Sequence, residues 1–253
     1  MNRSLTANLN QSLKTLRMAT IRECYKEQAK LARAESLGYE QYLHELVKLE
    51  CETRKERKTQ RLLHESKLPL EKSLQVFDRK RLPRKVDVLL NTLLDGSFLD
   101  RAENVLAFGN PGSGKTHLLC AIAQELIYQG RRIAFMPCNL LVQHLLIAKR
   151  NLELPQTLKK WSKYDALILD DIGYVQHSRE EMEVLFGLLA YRYERGSVMI
   201  TSNLPFSKWE AIFKDPMTTA AAIDRLVHHC IILELNLPSY RLEQSKRSQK
   251  SKS

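Results

Sequence analysis

The sequence predicts an α/β protein in which a parallel five-stranded sheet is sandwiched by helices and preceded by a small all-helical N-terminal domain. Three features predict it. Up to about residue 66 the apolar residues recur at helical spacing alone. Beyond a short basic connection, apolar runs bounded by turn residues alternate with helical patterns, as parallel strands covered on both faces do. A glycine-rich segment stands directly between the first such run and the helix that follows it.

Taken in order, two amphipathic helices come first. Leu5, Leu9, Leu13 and Leu16 form one helical stripe, and Met18, Ile21, Tyr25, Ala29 and Ala32 form the next. Gly38 interrupts the pattern. A third helix runs from about Glu40, with Leu43, Leu46, Val47 and Leu49 facing inward, into the charged run 50–61. That run carries Arg54, Lys55, Arg57, Lys58 and Arg61, which as a solvated face need no role and as a function read as a phosphate-contacting or partner-binding surface. Pro69 and Pro83 bracket a polar, basic connection over 67–85 that includes Arg79, Lys80 and Arg81. The α/β domain is expected over 86–240, with strands at 104–108, 131–136, 166–169, 197–201 and 230–235. Helices are expected at 115–129, 140–150, 180–194 and 218–229. A basic tail, 241–253, has almost nothing to bury and is expected to be disordered.

Composition narrows the function. The 253 residues are 43% apolar, enough for a proper core, and carry a net charge of +11. Residues 1–66 contribute +4, 67–85 contribute +5 and the tail +4, so the whole excess lies outside the central domain. A polyanionic partner fits, and double-stranded DNA contacted through its phosphates, in a salt-sensitive way, is the expectation. No helix reads as base-specific. The opening residues lack a signal peptide's apolar block, and no stretch reaches membrane length. Five dispersed cysteines show no CxxC or Cys/His spacing, so neither a disulfide framework nor zinc is indicated and a reducing cytoplasm fits. His177, His228 and His229 have no metal-like partners nearby in sequence. Trp161 and Trp209 read as packing residues.

The chemistry sits in two segments. Gly109-Asn110-Pro111-Gly112-Ser113-Gly114-Lys115-Thr116 matches GxxxxGK[ST], directly after an apolar strand and opening a helix. Its glycines let the backbone turn amide groups toward phosphate oxygens, and the helix N-terminus adds positive potential. Lys115 is expected to reach the β and γ phosphates of ATP and Thr116 to bind Mg²⁺, with His117 next along the helix. Ala166-Leu167-Ile168-Leu169-Asp170-Asp171 is an apolar strand that delivers two carboxylates at its carboxyl end. Asp170 is expected to hold Mg²⁺ and Asp171 to orient or deprotonate the attacking water. Asn203, after the next strand, is placed to hold that water. Arg225 is either an exposed ion-pairing residue or an arginine finger for a neighbouring subunit. Phe77 is expected near the adenine.

These four elements in this order resemble the AAA+ ATPases, and more closely the IstB-like branch, the ATP-binding helpers of insertion-sequence transposition related to DnaC-type helicase loaders. The resemblance covers almost the whole chain. It includes Tyr39-Glu40-Gln41-Tyr42-Leu43, the linker motif Leu74-Gln75-Val76-Phe77-Asp78 and Leu169-Asp170-Asp171-Ile172-Gly173. It continues through Tyr191-Arg192-Tyr193-Glu194, Thr201-Ser202-Asn203-Leu204-Pro205-Phe206, Asp224-Arg225-Leu226 and Ser239-Tyr240-Arg241. It implies that Asn203 takes the sensor-1 position and Arg225 the arginine-finger position. It further implies a homo-oligomer that assembles on DNA with ATP and helps a transposase of the same mobile element in target choice and strand transfer. Two departures matter. Asp171 stands where many AAA+ proteins carry Glu, so hydrolysis is expected to be slow or to need assembly and DNA. After Leu235 no helical lid with a sensor-2 arginine is expected, so closure over the nucleotide falls to a neighbouring subunit. The alternatives are a DnaC-like helicase loader, a P-loop small-molecule kinase and a nucleotide switch that does not hydrolyse.

Overall fold

The computed structural model describes residues 3–172, 178–209, 216–240 and 242–243. Gly173, His177, Arg241 and the tail from residue 244 onward lie outside the described residues. The chain forms two compact units, Met1–Arg61 and Leu62–Ser253.

The first unit holds α1 (Arg3–Thr15), α2 (Ala19–Ala34) and most of α3 (Tyr39–Ser66). Its core is small: Leu13, Ile21, Tyr25 and Leu46, with Met18, Cys24 and Tyr42 packed around them. Polar ties finish what the small core cannot. The buried Glu50 carboxylate accepts the Ile21 amide in the first turn of α2 (3.0 Å) and Arg54 Nε (2.7 Å), while Arg54 Nη2 donates to the Arg17 carbonyl (2.6 Å). Burial alone raises the Glu50 pKa, but the Ile21 amide, Arg54 and the Thr20 amide together hold it below its ordinary value. Only part of the expected inward stripe is covered: Leu46 is buried, whereas Leu5, Leu9, Leu16, Leu43 and Val47 are exposed. Three short antiparallel-scale stripes cannot all face one small core, and the surplus faces solvent.

The second unit has five parallel strands, β1 (Asn104–Gly109), β2 (Ile133–Pro137), β3 (Ala166–Ile172), β4 (Ser197–Ser202) and β5 (Cys230–Leu235), in the order β2-β3-β4-β1-β5. Every pairing is parallel. Successive strand side chains serve opposite faces. Val105, Ala107, Ala166, Ile168, Met199 and Leu233 enter one core with α4 (Arg84–Asp95) and α6 (Lys115–Tyr128). Leu106, Leu167, Leu169, Val198 and Ile200 enter the other, with α7 (Cys138–Arg150) and α9 (Arg179–Arg192). The strands therefore read as continuous apolar runs because both faces are buried. Short helices α5 (Ser97–Asp100) and α8 (Leu154–Trp161) and a last helix, α10 (Pro216–Val227), complete the unit. A capping box at Ser178 and Glu181 starts α9.

Two details differ from the expected elements. The connection 67–85 packs onto the second unit, with Leu68 and Leu82 buried in its core and Leu74 and Phe77 against it. Helix α4, absent from the expected elements, buries Val86, Leu90 and Leu93 at helical spacing. All five cysteines are free, and burial pushes the Cys120 and Cys138 thiols up to about 12, which leaves them inert. Trp209 is fully buried and donates from Nε1 to the Leu204 carbonyl (3.1 Å). Among the described residues, no helix is long and apolar enough to cross a membrane.

Candidate functional site

Strand order decides where a site can form. β1, β3 and β4 are neighbours in the middle of the sheet, so the loops at their carboxyl ends open onto one crevice. The glycine-rich loop leaves β1 at Gly109 and enters α6 at Lys115. A Cβ on Gly109 would run into the Leu235 carbonyl at the end of β5. Gly112 has φ +78°, and a Cβ there would run into Ser239. Both glycines thus let the chain after β5 close over the loop, where the Tyr240 amide donates to the Gly112 carbonyl (3.0 Å).

Lys115 is buried, and its ammonium donates to the Gly109 carbonyl (2.9 Å), the Asn110 carbonyl (3.0 Å) and Asn203 Oδ1 (2.6 Å). A residue from the end of β4 is thereby tied directly to the loop after β1. Beside it, the Thr116 hydroxyl donates to Asp170 Oδ1 (2.8 Å). The Thr201 hydroxyl donates to the same oxygen (2.7 Å) and accepts the Asp171 amide (2.8 Å). Thr201 is a link that sequence reasoning missed; its signal is a hydroxyl at the end of the otherwise apolar strand Val198-Met199-Ile200. It helps to hold Asp171 at φ +58°, in the left-handed region, where β3 slips its register against β4 between Leu169 and Ile172. Asp tolerates that conformation better than most residues.

Lys115 and Thr116 line a cleft of about 320 Å³ together with Pro111, Gly112, Ser113, Gly114, Asp171 and Asn203, and Asp170 stands behind Thr116 through their hydrogen bond. Its remaining wall mixes Val76, Phe77, Leu82, Leu237 and Tyr240 with the polar and charged Lys72, Asp78, Arg81 and His117. The Phe77 ring meets the His117 ring edge-on at 5.0 Å, and His117 Nε2 lies 2.9 Å from the Ser73 carbonyl. Ser113 is among the lining residues, and its Oγ is buried without a hydrogen-bond partner. The hydroxyl of Thr116 and the carboxylate of Asp170 form a hard oxygen donor pair of the type that suits Mg²⁺.

Of the other sequence candidates in this unit, Arg81 lines the cleft, and Arg79, Lys80 and Arg225 are not among its lining residues. Arg225 is at the opposite, amino end of the sheet. Its guanidinium stacks 4.7 Å over the Phe186 ring, and its Nη1 is buried without a hydrogen-bond partner. It opens into a cavity of about 190 Å³ lined also by Asn104, Arg192, Glu194 and His229. Arg79 is taken up by Asp87 (2.5 Å) and Asn91 (2.6 Å). Arg81 stacks 5.0 Å from the Tyr240 ring at the cleft and donates to the Pro238 carbonyl and to Glu243 (3.1 Å each). Lys80 is exposed, and on α3 so are Arg54, Lys55, Arg57, Lys58 and Arg61, with Arg54 committed to Glu50 and Arg17.

Comparison with known proteins agrees with this geometry. A solved structure, the DnaC helicase loader, superposes with a TM-score of 0.53 at 19% identity over 60% of this chain and 89% of that one, which shows the AAA+ fold. An insertion-sequence ATP-binding protein of Sinorhizobium fredii is 41% identical over 93% of this chain and 79% of its own length. The IS5376 ATP-binding protein of Geobacillus stearothermophilus is 35% identical over 94% of each. The IstB-like ATP binding protein family matches residues 11–248. With that span covered, the chain belongs to the IstB-like family of insertion-sequence ATP-binding proteins.

Proposed function

We propose that this protein is a Mg²⁺-dependent ATPase that assembles on double-stranded DNA as a homo-oligomer and assists the transposase of its own mobile element in target selection and strand transfer. The observation that carries the reading is the division of labour between the sheet's two ends. Lys115, Thr116, Asp170, Asp171 and Asn203 meet at one cleft, while Arg225 stands at the far end with an uncommitted nitrogen.

In this reading ATP lies with its phosphates in the loop 109–116 and its base against Val76, Phe77 and Tyr240. Lys115 would exchange neutral oxygen acceptors for anionic phosphate oxygens, so that both partners of the contact are charged. Ser113 and the loop amides complete the cradle. Thr116 and Asp170 hold the magnesium ion, which supplies positive charge to the phosphate oxygens. Asp171 and Asn203, which line the cleft with Lys115, would orient the attacking water; phosphoryl transfer needs chiefly such positioning and charge stabilisation. Arg225 acts on the nucleotide of a neighbouring subunit, and stimulation by DNA follows from assembly. The exposed Leu5, Leu9, Leu43 and Val47 of the helical unit suit protein contacts, and Lys55, Arg57, Lys58 and Lys80 suit phosphates.

Mixing two inactive variants tests the composite site. Arg225→Ala keeps an intact cleft, and Lys115→Ala keeps an intact arginine, so on duplex DNA the mixture regains hydrolysis that neither has alone. A rate indifferent to DNA and to Arg225 sinks the assembly reading and favours the kinase or the switch. The fold likeness to DnaC supports a helicase loader as the second reading; stimulation by a replicative helicase in excess of that by duplex DNA would select it.

A further inference from the structure

Glu194 is far in sequence from the adjacent His228 and His229, yet one ligand atom from each comes within 4.8 Å of the others on the exposed amino end of the sheet. An exposed histidine pair alone would need no explanation. Here both sides of the cluster are built on fixed backbone. The turn carrying Glu194 is fastened by Arg192, whose buried guanidinium donates to the carbonyls of Trp161, Tyr164, Asp165 and Ser197. The Arg195 and Gly196 amides close the same turn onto the Arg192 carbonyl (2.9 and 3.1 Å), and Glu194 itself sits at φ +57°. On the other side, the His229 carbonyl accepts the Asn104 amide at the start of β1 (2.8 Å), and the His228 amide donates to Asp224 (2.9 Å).

The imidazoles are oriented as well as placed. Their centroids are 4.2 Å apart in an edge arrangement, and the Tyr193 hydroxyl lies 3.1 Å from His228 Nδ1. An outer partner on one ring nitrogen is what fixes the tautomer and direction of a metal-ligating histidine. Two imidazoles and one carboxylate are the donor types of a three-protein-ligand site with one position left open, and at 4.8 Å or less the exposed side chains need only small rotations to close on one ion. Imidazole nitrogen selects borderline cations such as Zn²⁺, Cu²⁺, Ni²⁺ and Co²⁺ over Mg²⁺ and Ca²⁺.

We propose that Glu194, His228 and His229 bind a divalent transition cation of the zinc class, at a site separate from the nucleotide cleft. Bound there, the cation joins the turn after α9 to the turn after α10, three residues beyond Arg225. It pins the helix end that carries the arginine to the frame held by Arg192. The site stands on donor geometry alone and does not require the ATPase reading.

The test uses the full chain, free of any affinity tag, stripped by chelator and without nucleotide. Zn²⁺ is titrated against a competing indicator, and Co²⁺ is followed by absorbance. The wild type takes up one tight equivalent, and the Co²⁺ form shows d–d bands without sulfur-to-cobalt charge transfer. Glu194→Gln, His228→Ala and His229→Ala each weaken binding about tenfold or more, and Tyr193→Phe weakens it about tenfold through the outer contact. These groups are exposed, so circular dichroism of the metal-free variants matches wild type. Saturating Zn²⁺ raises the melting temperature of the wild type and not of His228→Ala. Asp170→Asn and Cys51→Ser leave the equivalent in place. Absence of a bound equivalent, sulfur-to-cobalt bands, or binding that survives the His228 and His229 substitutions would each overturn the proposal.

Discussion

At the carboxyl end of the sheet, Lys115 is hydrogen-bonded to Asn203, and Thr116 and Thr201 to Asp170, within one chain; at the amino end, two arginines in the last turns of α9 and α10 are held in different ways. Arg192 is 2% exposed and donates from Nη1 and Nη2 to four carbonyls, leaving only its buried Nε without a partner, whereas Arg225 stacks on the Phe186 ring and has a buried Nη1 without one. The contrast follows from parallel topology. Helix N-termini and strand carboxyl ends converge on one side, where they favour anions, and helix C-termini on the other, where they favour cations. One end is thus equipped for a phosphate ligand, and the other collects positive charge, some of it as a fastener and some to spare. Burial pushes Arg192 down to about 10, still far above neutral pH, so the fastener stays charged.

The comparison can be broken at Arg225 first. Arg225→Ala is expected to lower hydrolysis by about 10³-fold, roughly 4 kcal/mol of barrier, while ATP affinity by equilibrium dialysis changes less than about twofold. An equal loss of affinity would mean that the two ends are not separate in function. Arg192→Met comes next. It strands carbonyls and a packing volume that only a guanidinium fills, so chemical denaturation should show about 3 kcal/mol lost. ATP affinity measured well below the new midpoint should hold. Lys115→Ala is the converse: about 2–3 kcal/mol of nucleotide affinity, on the order of a hundredfold, with little change in unfolding midpoint. A large loss of stability there would show that the cleft network is a structural fastener too.

The sheet was legible because its strands are buried on both faces, so runs such as Val105-Leu106-Ala107 stand out without alternation. The convergence of Lys115, Thr116, Asp170 and Asn203 was legible for a related reason: each follows the end of an apolar strand. Helix α4 shows its spacing in Val86, Leu90 and Leu93, but the basic connection before it hides its start, and α8 is too short and too exposed to signal itself. Thr201 between the two aspartates depends on which strands pair, and Glu50 capping α2 depends on how α3 folds back. The hydroxyl that ends the apolar run Val198-Met199-Ile200 marks Thr201 but not its partners, and Glu50 has no local pattern at all. The same holds for Glu194 with His228 and His229, whose meeting is a product of topology. Leu43 and Val47 share the helical phase of Leu46 closely enough to look buried; how much of a stripe is covered depends on the size of the opposing surface, which spacing does not encode.

The smallest expected effect sharpens the carboxyl end itself, at Asp171. Its left-handed backbone costs an ordinary L-residue about 1 kcal/mol and costs Asn or Asp less. Asp171→Asn should therefore unfold within about 0.5 kcal/mol of wild type while losing about a hundredfold in hydrolysis, because under the proposed function it removes only the charge that orients the water. Asp171→Glu should lose about 1 kcal/mol of stability yet hydrolyse ATP faster, since the longer side chain reaches further from the same backbone position. A Glu variant as slow as the Asn variant would mean that the Thr201-held turn, and not the reach of the carboxylate, places the charge.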